Sequence, residues 1–109
     1  MSETQFLQTV EETLAQVETA IETARIAAET SQTALILTIE FDDGARIIIN
    51  AQTPMRQLWL ASRGGAMHFA HDGGQWKDTR SGIEFFTALS QAVSAALGSP
   101  VELQPPPAR

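Results

Sequence analysis

Three glutamates of this 109-residue chain, Glu11, Glu18 and Glu22, are the side chains best spaced to act together. At about 100° per residue they fall within about 20° of one line on a helix, roughly 100° from the centre of the apolar stripe. Glu18 and Glu22 stand one turn apart and can bring two carboxylates to one cation. Like charges at that spacing destabilise a helix by a few tenths of a kcal/mol, roughly, and a bridging cation reverses the sign. The plainer reading of the same residues is a solvated outer face. No histidine joins this ridge, so the pattern points to weak, exposed, multi-site cation binding and not to a closed cage. His68 and His71, three apart on a strand, point to opposite faces. The chain has no cysteine, which removes disulfides, thiolate ligands and cysteine nucleophiles together. No Ser-His-Asp arrangement, nucleophile elbow or phosphate loop stands in the sequence, so catalysis has little support.

Seven Lys+Arg against thirteen Asp+Glu give a net charge of -6, which repels phosphate backbones and anionic lipid surfaces. The charge is polarised. Residues 1–43 hold nine acids and one base, a balance of -8, and residues 44–109 hold four acids and six bases, a balance of +2. The first residues lack a basic and apolar leader, and no stretch approaches the ~18 apolar residues of a membrane span. A soluble, cytoplasmic protein and a single domain over 1–109 are expected, with 99–109 a mostly non-regular tail.

The elements that must position these residues follow from hydrophobic period. Phe6, Val10, Leu14, Val17 and Ile21 mark one face of a helix over about residues 4–24, opened by a Ser2/Gln5 capping box. After the polar stretch 29–33 the period changes to two, with Leu35, Leu37, Ile39 and Phe41 on one parity and Ile36, Thr38 and Glu40 on the other. Asp42-Asp43-Gly44 turns the chain into Arg46-Ile47-Ile48-Ile49-Asn50. Thr53-Pro54 breaks the next connection, and Gln57–Ala61, Met67–Ala70 and Gln75–Asp78 read as further strands, separated by Gly64-Gly65 and Gly73-Gly74 turns. Ser81 and Glu84 read as a capping box for a second helix carrying Phe85 or Phe86, Leu89, Val93 and Leu97, with Gly98 as its stop. Arg80, just before, reads as a tie between sheet and helix in preference to a partner contact. The expected fold is α+β, a two-layer sandwich with two helices on one face of a mostly antiparallel sheet of about five to six strands. The other face then meets water. With Leu58 and Leu60 inward, Gln57, Trp59 and Ala61 lie on that open face, near Asn50 and His68. Trp59 is there either a partner contact, or a residue that lies under a loop or takes part in ordinary cross-strand packing.

The run Ile47-Ile48-Ile49-Asn50-Ala51-Gln52-Thr53-Pro54-Met55-Arg56-Gln57-Leu58-Trp59-Leu60-Ala61, with Gly64-Gly65 and His68-Phe69 after it, resembles the signature of the frataxin family in its bacterial branch. Trp76-Lys77-Asp78-Thr79-Arg80-Ser81-Gly82 resembles a second family block. The resemblance implies an iron-binding regulator or adaptor of iron–sulfur cluster assembly, monomeric and not an enzyme, that meets a cysteine desulfurase and its scaffold. By position it implies Asn50, Gln52, Gln57 and Trp59 as partner contacts. It implies Glu11, Glu18, Glu22, Glu29, Glu40, Asp42 and Asp43 as the acidic, iron-attracting ridge (Fe2+ or Fe3+, weak and surface-exposed). Where bacterial members are dense in acids, residues 23–34 here hold one acid, Glu29, and one base, Arg25. The other readings are a ferrous iron chaperone delivering iron to the scaffold, a ferroxidase, and an interaction module without a metal role.

Overall fold

Ser2 and Gln5 close the capping box in both directions: the Gln5 N–H donates to Ser2 Oγ at 3.1 Å, and the Ser2 N–H donates to Gln5 Oε1 at 3.0 Å. This opens α1 (Glu3–Thr23) within a residue of expectation, in a computed structural model that describes residues 1–107. The five apolar residues of its stripe are all buried. The helix stops in a Schellman arrangement, with the Ile26 N–H on the Ile21 carbonyl at 3.1 Å and the Arg25 N–H on the Glu22 carbonyl at 3.0 Å. Arg25 takes the left-handed position usually given to glycine, at φ 54°.

Six strands follow: β1 (Ala28–Thr33), β2 (Ile36–Phe41), β3 (Arg46–Gln52), β4 (Gln57–Ser62), β5 (Gly65–Asp72) and β6 (Gln75–Asp78). They lie side by side in chain order, and every neighbouring pair is antiparallel. Then comes α2 (Phe85–Leu97), closed by Gly98 at φ 74°. Leu37, Ile39, Ile47, Ile49, Leu58, Leu60 and Phe69 point to one side and are buried beneath the two helices. Each such side chain contributes roughly 1.5–3 kcal/mol on leaving water. Thr13 stitches the layers together, accepting the Trp76 indole N–H at 2.9 Å while its own hydroxyl donates to the Thr9 carbonyl.

Three expectations need correction. The polar stretch 29–33 is a strand: β1 pairs along its whole length with β2, from Ala28 opposite Phe41 to Thr33 opposite Ile36. It lies at a sheet edge, where little is buried, so no apolar alternation marks it. Second, Ser81 does not cap α2. The Ser81 N–H and hydroxyl both donate to Asp78 Oδ2, at 2.9 and 2.8 Å, and the cap is Glu84, whose Oε2 accepts the Phe86 N–H at 2.9 Å. The chain first turns back through Gly82 at φ 76° and forms a bridge between Lys77 and Glu84. Third, Arg80 is exposed and forms no salt bridge among the described residues, so it ties nothing to α2.

Residues 99–107 form no helix or strand, yet Leu103 among them is 3% exposed and belongs to the core. Residues 108 and 109 of the expected tail lie outside the described residues.

Candidate functional site

The open face of the sheet brings together all four expected partner contacts. Asn50 stands opposite Trp59 across β3 and β4, Gln52 stands opposite Gln57, and Trp59 stands opposite His68 across β4 and β5. Side-chain bonds hold them as a set. The Trp59 indole N–H donates to Gln57 Oε1 at 2.9 Å, and Gln52 Nε2 donates to Asn50 Oδ1 at 3.3 Å. The Trp59 and His68 rings stack with centroids 4.0 Å apart and planes 9° from parallel. Trp59 is therefore half-buried by its own face and not by a loop. It packs across the strands against His68 and stays partly exposed on that face. A rigid aromatic ring with its polar atom already satisfied buries area on contact at small entropic cost.

His68 belongs to this set as a neighbour, and the signal for it was register. The β4–β5 hairpin turns at Arg63-Gly64, one residue earlier than the expected Gly64-Gly65 turn, because Ser62 pairs with Gly65, and this register sets Trp59 opposite His68. His71 points the other way, edge-on to the buried Trp76 at 4.9 Å.

The carboxylates are divided. Glu11 and Glu22 are exposed and Glu18 is half-buried on α1, in the helical layer. Glu29 and Glu40 face each other across β1 and β2, on the open face. There the Glu40 carboxylate lies 3.4 Å from the Arg46 guanidinium, which competes with any cation. Asp43 uses Oδ1 to accept the Ala45 N–H at 2.9 Å and places Oδ2 3.8 Å from Arg63, while Asp42 is exposed in the same turn. Among the described residues no three His, Asp or Glu side chains converge on a point that could hold a metal ion. Carboxylate oxygen suits iron in either oxidation state, but this donor set supplies scattered points and not a cage.

Among the described residues the buried polar side chains are Thr13, Asp78 and Ser90, and each is occupied by structural hydrogen bonds. Burial works to raise the Asp78 carboxyl, but the Ser81 amide and hydroxyl, followed by backbone hydrogen bonds at His68 and Arg80, hold it below the ordinary carboxylate range. Among the described residues, no helix is long and apolar enough to cross a membrane.

A family model described as "Frataxin-like domain" matches residues 1–99. The chain is 39% identical over 105 residues to the iron-sulfur cluster assembly protein CyaY of Paraburkholderia phymatum, covering 96% of this chain and all of that one. It is 44% identical over 109 residues to the protein of the same name from Janthinobacterium sp. (strain Marseille), covering 95% and 97%. Among solved structures, frataxin from Psychromonas ingrahamii superposes with a TM-score of 0.88 at 33% identity, covering 94% of this chain and 97% of that one.

Proposed function

The chain belongs to the frataxin-like family, and from that premise we propose that it is a regulator or adaptor of iron–sulfur cluster assembly. It works without catalysing a step itself, as a cytoplasmic monomer. It docks on the cysteine desulfurase and its scaffold through Asn50, Gln52, Gln57 and Trp59, and its acidic residues attract both iron and basic side chains of the partner. The observation that carries this reading is the braced Trp59 ring, stacked on His68 and presented by a rigid antiparallel sheet. Charge accelerates the encounter, and the flat face supplies the packed contact.

Iron enters as cargo or effector. Glu11, Glu18, Glu22, Glu29, Glu40, Asp42 and Asp43 offer oxygen donors at several exposed places, which fits weak, exchanging association. Stoichiometric delivery of ferrous iron asks for a defined ligand set, and the division of the carboxylates between α1 and the sheet gives that reading no support.

The test is a cysteine desulfurase assay with scaffold present, run across an iron titration with wild-type protein and with Trp59→Ala. Wild type is expected to change sulfide release in an iron-dependent way, and Trp59→Ala to weaken binding by about tenfold or more. Equal behaviour of the two proteins overturns the role of the face. No effect and no binding by wild type overturns the function.

A further inference from the structure

Cross-strand register sorts the open face into rows. One row runs through Ile36, Asn50, Trp59 and His68, and the next through Thr38, Ile48 and Ala61. Neither row holds an Asp, Glu, Lys or Arg at any strand it crosses. The charges of this face stand outside them, with Glu29, Glu40 and Arg46 in one flanking row and Lys77 in the other. A solvated sheet face ordinarily alternates polar and charged side chains against water. Here Ile36 is 47% exposed, two strands away from Trp59 and in the same row. A charge-free centre with a charged rim is the anatomy of a protein interface, because charges at the centre would have to be desolvated.

We infer that the partner contact extends from Trp59 across β3 to β2, with Ile36 and Ile48 forming a second, apolar anchor. This rests on the docking reading above and adds which residues carry it and what they meet. The occupant is a partner surface that is apolar and uncharged at its centre and basic on the side that meets Glu29 and the Asp42-Asp43 turn. A second copy of this chain is a poor occupant. Residues 1–43 carry a balance of -8, so two copies repel each other.

Binding to the cysteine desulfurase, alone and with its scaffold, tests this with wild type, Ile36→Thr, Ile48→Thr and Trp59→Ala. Thr87→Ala, on the exposed side of α2, serves as the control. Threonine keeps the β-branch and removes apolar area, so the fold is expected to persist with a Tm within a few degrees, roughly, of wild type. Ile36→Thr is expected to raise Kd about fivefold or more, Ile48→Thr to raise it less, and Thr87→Ala to leave it unchanged. Wild-type affinity in both isoleucine variants, with Trp59→Ala weakened, overturns the second anchor and leaves the docking reading standing. Failure of wild type to bind overturns both. Wild type that self-associates, and loses this in Ile36→Thr, overturns the basic partner in favour of a second copy.

Discussion

Asp78 is the one buried carboxylate among the described residues, and it fixes the path from the sheet into α2 by taking both donors of Ser81. Replacing it by Asn keeps the shape and loses the charge, so Asp78→Asn is expected to destabilise the fold by roughly 1–3 kcal/mol near neutral pH. The folded carboxyl sits below its ordinary value, so its stabilisation is complete above that value, about 3.9 for a free Asp, and is lost as pH falls through the lower folded value. Urea denaturation of the two proteins should therefore show a constant gap from pH 8 to 5 that closes below about pH 4. A gap that instead widens on acidification contradicts this account. At this scale the sequence was most informative where a side chain's role depends on parity. Trp59 and its neighbours could be placed on the open face because Leu58 and Leu60 had to be inside. Ser81 was misread because its spacing to Glu84 fits a capping box equally well. Only the positive φ of Gly82, a tertiary fact, separates the two.

The segment after α2 becomes structure through two serines one turn apart. Ser94 Oγ accepts the Val101 N–H at 2.9 Å and reaches the Val101 carbonyl at 3.0 Å. Ser90 Oγ accepts the Leu103 N–H at 2.8 Å and lies 2.7 Å from the Phe86 carbonyl. The hydroxyls replace a neighbouring strand, and Leu103 drops into the core. Ser90→Ala leaves the buried Leu103 N–H without a partner, which is expected to lower stability by about 1–2 kcal/mol. Amide exchange at Leu103 should accelerate more than exchange in β3 and β4. Uniform acceleration at all sites would mean that the tail does not open separately. Nothing in the Pro-rich sequence signals this docking, because its partners are backbone groups held by side chains of another element. The edge strand β1 was hidden for a related reason. Its sequence Ala-Glu-Thr-Ser-Gln-Thr buries little, and its conformation comes from pairing with β2. The long amphipathic helices and the central strands were legible because burial had stamped its period on them.

On the scale of the whole molecule, the proposed function assigns encounter to the helical acids and contact to the sheet, and the two can be separated by experiment. Glu22 lies in the last turn of α1, which contains no basic residue, so it faces the negative end of the helix dipole. Reversal by Glu22→Lys is expected to stabilise the helix by about 0.3–1 kcal/mol while weakening attraction to a basic partner. The double variant Glu18→Lys/Glu22→Lys should therefore melt no lower than wild type and yet associate more slowly with the desulfurase. At low salt the loss should be about tenfold in the association rate, with little change in dissociation, and it should shrink as the Debye length falls from about 30 Å at 0.01 M to about 3 Å at 1 M. Glu102→Lys changes net charge by the same amount as Glu18→Lys but sits on the exposed tail segment. If those two single variants slow association equally, net charge alone matters and the ridge has no location. If Glu18→Lys is the slower, the acids of α1 guide the partner toward the face that Trp59 occupies.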